Sequence, residues 1–487
     1  MGKLSNLKPE KVWKYFEEIC QVPRPSKKED KIVNYLIKFG TENKLQTKVD
    51  YAGNVLITKR ATKGMENKAT LVLQSHVDMV CEKNSDVKHD FDKDPIIPYI
   101  DGDWVKAKGT TLGADDGIGM AAQLAILASD DIEHPKIECL FTSDEETGLS
   151  GAIALGPNFF TGKILINLDS EDEGEIFIGC AGGTDTTATF EYKKEKINSS
   201  DLIFNLKISG LRGGHSGDDI HKGFGNSIKI ATRFLIECSK MYEIRLISFE
   251  GGNLRNAIPR EAEANFTVPK KYLKKLTDYT VKFSNEIKNE LKITEPDLKI
   301  ICENIENNFD SVINKEVQDN LLNALQGVWH GVVEMSRDIP DLVETSTNLA
   351  SIKHTSDNTI TVATSQRSSV ESQKKNIAQT VESVFLLSKA TIKHSDGYPG
   401  WQPNPDSKIL EISSKAYKKL FGIDPKVKAI HAGLECGLFL EKYPELDMIS
   451  IGPTLRNVHS PDEKISIEST LKFWEFLLYV IKNAPDK

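Results

Sequence analysis

The chain has 487 residues, 39% of them hydrophobic and 27% charged, which is too long for one core and makes two domains with cores of ordinary size the default. Its net charge of −9 lacks the basic footprint of a nucleic-acid-binding protein, since its lysines are scattered and form no stripe. No apolar stretch approaches a bilayer span, and the opening MGKLSNLKPEKVWKYF has no apolar signal core and carries Asn6 where a myristoylation motif needs Ser or Thr. Cys20, Cys81, Cys139, Cys180, Cys238, Cys302 and Cys436 form no CxxC pair and fit reduced thiols, so a cytoplasmic protein is expected.

Residues 9–22 begin with Val12, Trp13, Phe16 and Ile19 at helical spacing, and residues 27–42 repeat the pattern with Ile32, Tyr35, Leu36 and Phe39. Strands are expected at 46–50 and 53–59. The runs ATLVLQSHVDMV, KIECLFTSDEE (136–146) and KILINLDS (163–170) are short, apolar and β-branched, as buried strands of an α/β sheet are. Each ends in acids or a histidine, the end at which open α/β sheets place their ligands. Between the first two lies GTTLGADDGIGMAAQLAILAS, a glycine-rich turn running into a helix.

The texture changes near residue 185. Strands at 188–194 and 202–209, a helix at 223–240, strands at 244–250 and 262–268 and a helix near 271–291 are taken as a ferredoxin-like unit of the β-α-β-β-α-β pattern, although they run β-β-α-β-β-α in chain order. A second set, with helices at 313–330 and 371–389 and strands near 331–336, 346–353 and 359–365, gives the expectation of a doubled unit. SDGYPGWQPNP after 396 reads as a linker. The expected organisation is α/β: a catalytic domain with a central mixed sheet flanked by helices in two parts, 1–186 and 396–487, with an α+β lid inserted at 187–395.

Seven side chains carry the chemistry: His76, Asp78, Asp115, Glu145, Glu146, Asp169 and His459. A two-metal hydrolase needs one carboxylate that reaches two ions about 3.5–4 Å apart. Asp115, among Gly113, Gly117 and Gly119, is the expected bridge, and a cis Asp115–Asp116 peptide would suit it. His76 and Asp169 would complete one ion's shell, Glu146 and His459 the other's. Asp78 lies two residues from His76 on the same strand face and can fix the imidazole tautomer. Glu145, beside a ligand, can take the proton of the attacking water. Three adjacent acids more often mark a solvated turn, but an apolar strand precedes these and a Gly-Leu-Ser-Gly turn follows.

In the inserted region, His215 of LRGGHSGDD reads equally as an oxyanion donor and as a histidine in a flexible loop. Arg255 and Asn256 of GGNLRNAIPRE are polar groups beside a turn; Asn256 is a candidate for binding substrate, with ordinary turn chemistry as the plainer reading. Arg367 can grip a substrate carboxylate in bidentate fashion, although a surface arginine is the commoner meaning. His431 and Glu435 of HAGLECG either line a specificity pocket or are structural. His89, His134, His330, His354 and His394 have no supporting context.

These stretches, together with LVLQSHVDMVCEKN, FTSDEETGLSGA, INLDSEDEGEIFIGCAGG and SIGPTLRNVHSPDEKI, resemble the M20 metallopeptidases, most of all the aminoacyl-histidine dipeptidases, from about residue 71 to 465. The resemblance implies His76, Asp115, Glu146, Asp169 and His459 as ligands, Asp78 as orienter, Glu145 as base and His215 as the group polarising the scissile carbonyl. Asp116 departs from the similar members, where Asn commonly follows the bridging Asp.

Two divalent ions are expected. Zinc is the default for a His/carboxylate set without Cys, and Mn or Co can replace it. The expected activity is hydrolysis of small unblocked dipeptides, Xaa-His included and β-Ala-His a further candidate, by two-metal activation of a bridging water with Glu145 as general base. The alternatives are a tripeptide aminopeptidase, an N-acyl amino acid deacylase, or a non-catalytic metal-binding protein on the same fold. A small peptide is the expected partner, with no nucleic acid or membrane. Both a monomer and a homodimer are compatible with the sequence; in shorter relatives a lid residue comes from the partner subunit, which a doubled lid would make unnecessary.

Overall fold

In the runs LVLQSH, IECLFT and ILIN every residue is buried, which is why they lack the alternation of a half-exposed strand. The computed structural model describes residues 4–306, 309–355, 358–431 and 433–487. Its contacts divide the chain into two units. Met1–Gly179, Pro403–Ala429 and Leu434–Lys487 form the first, and Cys180–Gln402 with Ile430–Gly433 form the second. Among the described residues no helix is long and apolar enough to cross a membrane.

The first unit is built on an eight-stranded mixed sheet in the order Gln46–Val49, Val55–Lys59, Ile137–Thr142, Leu71–His76, Ile164–Asn167, Asp447–Ser450, Glu175–Cys180, Lys426–Ile430. The four from Ile137–Thr142 to Asp447–Ser450 are mutually parallel and nearly in step, Leu71 lying opposite both Ile137 and Ile164. Their C-terminal ends therefore share one edge, and His76, Glu145, Glu146 and Asp169 all lie at or just beyond it. The helix Glu10–Cys20 buries Val12, Trp13, Phe16 and Ile19, each worth about 1.5–3 kcal/mol, and packs against the helix Ala114–Leu127. That second helix is buried on nearly every side, as its all-round Ala, Leu, Ile and Gly content requires. A four-stranded sheet, Leu455–Arg456, Lys464–Ser466, Trp104–Ala107 and Pro98–Asp101 in that order, carries His459 in the connection between its first two strands.

The second unit contains a nine-stranded antiparallel sheet. Asp201–Ser209, Arg245–Gly251, Ala262–Pro269 and Lys299–Asn304 are the first to fourth strands of one β-α-β-β-α-β set and lie in the order fourth, first, third, second. Gly182–Glu191, Val343–His354, Thr359–Ser368 and Thr391–His394 form another set with the same order, and the second strands of the two sets meet through Gly251 and Ile352. Phe234, Leu276, Leu321, Leu325, Ile377 and Phe385, drawn from all four helices, share one core on the sheet. The unit is thus a doubled ferredoxin-like layer.

Two local expectations are corrected. The strand expected near 188–194 pairs with Thr359–Ser368 and so opens the second set, because the first set is threaded between that strand and the rest of its own set. Sequence adjacency misassigns it. The SDGYPGWQPNP stretch is no free linker: Tyr398 exchanges backbone hydrogen bonds with Gly183 at 2.8 and 3.0 Å, and Trp401 with Cys180 at 2.8 and 2.9 Å. Trp401 is buried.

Candidate metal centre

Asp115 presents its two carboxylate oxygens to two different histidines. Oδ1 lies 3.0 Å from His76 Nε2 and Oδ2 lies 3.1 Å from His459 Nε2. His76 Nε2 is also 3.5 Å from Asp169 Oδ1, and His459 Nε2 is 2.9 Å from Glu146 Oε2. Two groups able to hold a metal ion result, His76–Asp115–Asp169 and Asp115–Glu146–His459, sharing Asp115. A third group, His76–Glu145–Glu146, overlaps them, so geometry alone leaves Glu145 open to either ligation or proton transfer. All five sequence-predicted ligands are brought together.

The backbone supports this placement. The Ala114–Leu127 helix begins at Gly113 in the left-handed region (φ 69°), and Asp115 and Asp116 inside its first turn depart from helical angles. The Asp115–Asp116 peptide is cis. Asp144 (φ 50°) and His459 (φ 60°) also occupy the left-handed region, which non-glycine residues adopt at a cost that tends to concentrate at functional sites.

Asp78 does more than face His76, whose Nδ1 stands 3.4 Å from Asp78 Oδ1. It accepts the backbone N–H of Glu145 at 3.0 Å and of Glu146 at 3.2 Å, and the Ser26 hydroxyl at 2.8 Å. One carboxylate thus orients the His76 ring and fixes the peptides of both glutamates. Burial works to raise its pKa, but His76, the Glu145 amide and Ser26 bring it down to about 2.

The electrostatics ask for cations. Burial holds the Glu145 carboxyl well above the usual carboxylate range; His76 opposes this, and Asp169, Glu435 and Glu146 add to it. Asp169 is pushed up to about 7, first by burial. His459 is raised to about 11 by its hydrogen bonds to Asp115 and Glu146. Glu146 Oε1 is buried and, among the described residues, has no hydrogen-bond partner. Crowded carboxylates that hold protons, imidazoles that gain them and an orphaned acceptor fit a site for divalent cations, whose binding would displace those protons. Hard oxygen donors with two imidazoles and no thiolate suit zinc, manganese or cobalt.

Glu435 is 2% exposed and opens the helix Glu435–Lys442. Its Oε2 accepts from Gln74 Nε2 at 2.7 Å and from Thr142 Oγ1 at 2.8 Å. Burial pushes its carboxyl to about 7. Glu435 is thus a buried group of the first unit, tied to the strand ends that carry the ligands.

The remaining candidates belong to the second unit. His215 Nδ1 stands 3.3 Å from Asp218 Oδ2. Asp218 is held below its usual range first by His215, against burial, with Arg367 and His431 contributing. Arg367 is buried, donates to the Tyr398 hydroxyl at 3.1 Å, and has an Nε without a partner among the described residues. It is therefore no ordinary surface arginine. His431 is buried, its Nε2 2.7 Å from Ser346 Oγ, and burial lowers it to about 3. Asn256 is exposed; its backbone oxygen accepts from the Ser216 N–H at 2.8 Å, which seats its turn beside the His215 loop. Arg255 pairs with Asp185 at 2.9 Å.

Sequence reading missed Arg24 and Glu463. Arg24 is 3% exposed and Glu463 2%, and both grip the loop before Asp115. The signal for Arg24 was its place between Pro23 and Pro25. Glu463 resembles any acid in a Ser-Pro-Asp-Glu turn.

A mixed sheet with paired metal-ligand groups at the C-terminal ends of its parallel central strands, joined in one chain to a doubled α+β layer, is the architecture of a two-unit metallohydrolase. Residues 72–483 match peptidase family M20/M25/M40, and the chain belongs to that family. It is 43% identical over its full length to the cytosol non-specific dipeptidase of Escherichia coli, with 100% of both chains covered. It also resembles the crystal structure of aminoacylhistidine dipeptidase from Vibrio alginolyticus, with a TM-score of 0.92, 44% identity and 100% and 99% of the two chains covered. Aminopeptidase PepT of Bacillus cereus shares the fold at 17% identity, with a TM-score of 0.57 and 98% of each chain covered.

Proposed function

We propose that this chain is a cytoplasmic metal-dependent dipeptidase that hydrolyses small unblocked dipeptides, Xaa-His among them. The observation that carries the chemistry is that the two oxygens of Asp115 face two separate ligand groups. The substrate class and compartment rest on end-to-end likeness to proteins named as dipeptidases, one of them cytosolic.

His76, Asp115 and Asp169 would hold one divalent ion, and Asp115, Glu146 and His459 the other, with zinc the first choice. When bound, such ions polarise a carbonyl and acidify a water molecule. The rest falls to side chains. Glu145 takes the proton of the attacking water on a carboxylate oxygen and delivers it to the nitrogen of the leaving amine. Asp78 keeps His76 and the two glutamate peptides in place. From the second unit, His215 is the candidate donor to the developing oxyanion, Arg367 the candidate grip for the C-terminal carboxylate, and Asn256 and His431 the candidate peptide contacts. Glu435 is the first unit's candidate for binding substrate, held by Gln74 and Thr142.

A hydrolysis panel on metal-reconstituted protein tests this reading. Ala-His, β-Ala-His, Ala-Ala, Gly-Gly, Ala-Ala-Ala and an N-acetyl amino acid would be compared, along with C-terminally amidated dipeptides. Cleavage confined to free dipeptides is expected. Cleavage of only the tripeptide or the acyl substrate would place the chain in another branch of its family. Arg367→Ala should raise KM for free dipeptides by about 10- to 100-fold, the worth of a charge-assisted hydrogen bond of roughly 1.5–3 kcal/mol, with little effect on the amides. Equal losses on both would remove the carboxylate clamp.

A further inference from the structure

We propose that Arg24 and Glu463 act as a pair of positioning residues that grip the loop before Asp115 from opposite sides and set the spacing of the ligand-bearing segments. The inference rests on the metal-binding reading above, and neither residue belongs to the metal-ligand groups found.

Glu463 collects four successive backbone donors. Oε2 accepts the N–H of Leu112 at 2.7 Å and of Gly113 at 3.0 Å; Oε1 accepts that of Ala114 at 2.8 Å and of Asp115 at 3.4 Å. The free N–H groups at a helix start are normally capped by a neighbouring Ser, Thr, Asp or Asn. Here the cap comes from a residue far along the chain, four positions after His459. It joins the connection that carries His459 to the loop that carries Asp115.

Arg24 works on the other side. Its Nη1 donates to the carbonyls of Val77 (2.9 Å) and Asp78 (2.6 Å), and its Nη2 donates to the carbonyl of Gly113. It thereby ties the strand end that follows His76 to the same loop. Its own backbone is set by the neighbouring strand end, where the Met79 N–H donates to the Arg24 carbonyl at 3.1 Å. Gly113 is gripped from both sides, giving its carbonyl to a buried cation and its N–H to a buried anion.

Two glycines of the turn are explained by this arrangement. A Cβ on Gly113 would lie 2.6 Å from Arg24 Nη2, and one on Gly117 would lie 2.7 Å from it. The turn is free of side chains where the guanidinium must pass. Three ligand segments, ending in His76, Asp115 and His459, are therefore held in register by two ions that touch no ligand atom. Outer contacts of this kind fix the orientation of ligands and so affect metal affinity directly.

The test is cobalt(II) titration of the metal-free full-length protein, followed by its visible absorption, without substrate. Glu463→Gln replaces one acceptor oxygen with an amide that faces backbone donors; Arg24→Lys keeps the charge but loses the fork that spans three carbonyls. Each variant should bind cobalt about 10- to 100-fold more weakly than the parent, with an altered spectrum, and its kcat should fall while KM holds. Arg24→Lys should lie nearer the parent than Arg24→Met. Wild-type affinity and spectrum in a folded Glu463→Gln or Arg24→Lys protein would overturn the proposal. If Glu463→Gln does not fold, Arg24→Lys decides alone. Absence of cobalt binding by the parent would instead sink the metal reading itself.

Discussion

Replacing Glu145 with Gln should lower kcat by about 100- to 10,000-fold, the range that a positioned general base supplies, while metal content stays at the parental level. Gln keeps the size and hydrogen-bonding reach of the side chain but cannot take a proton. The backbone N–H of residue 145 still reaches Asp78, so the turn should hold. Glu145 also lies within reach of a metal-ligand group with His76 and Glu146, which makes the metal measurement decisive. If metal content falls as far as activity, Glu145 is a ligand and the proton acceptor is another group. A general base at this position should also shape the acidic limb of the pH–rate profile, and that limb should disappear in the variant's residual activity.

Asp115→Asn should cost more. A carboxamide offers one acceptor oxygen and turns an NH2 toward the other group, so it cannot face both histidines as the carboxylate does. Activity is expected to fall by about a thousandfold or more, equivalent to roughly 4 kcal/mol, together with loss of bound metal. Atomic absorption on the dialysed variant checks the second effect independently of the first. Full parental metal content with low activity would remove Asp115 from the bridging position. In the metal-free parent, burial works against the Asp115 charge, but His459 and His76 hold its carboxyl well below the usual aspartate range. It therefore adds stability above about pH 4, its ordinary range, and that contribution is lost as pH falls through the depressed pKa. The metal-free variant should melt below the metal-free parent at pH 7, by a margin that shrinks toward strongly acidic pH.

Four of the five metal ligands were legible because they follow a buried strand or sit in a glycine turn; His459, in a connection without glycine, was carried by the resemblance of its SIGPTLRNVHSPDEKI stretch. His76 and Asp169 follow apolar runs that can only be central strands, and Asp115 stands among glycines. The doubling of the second unit was legible from two helix–strand patterns, but its threading was not. The strand Gly182–Glu191 pairs with Thr359–Ser368, far along the sequence, and periodicity carries no information about partners. Arg24 and Glu463 escaped because their role is to satisfy backbone atoms. A carboxylate that accepts four N–H groups looks in sequence like any acid in a polar turn. The second task of Asp78, holding the Glu145 and Glu146 peptides, was hidden for the same reason. Glu435 reads as one acid in a glycine-punctuated turn, and only the fold shows it buried against Gln74 and Thr142.

Counting bound metal against activity tests the central claim most directly. Metal-free protein would be titrated with zinc, with Ala-His hydrolysis and bound zinc followed in the same samples. Two ions per chain are predicted, with full activity only when both are bound, because Asp115 faces two ligand groups and both flank the base. Full activity with a single ion per chain, or undiminished activity in the metal-free protein, would contradict the account.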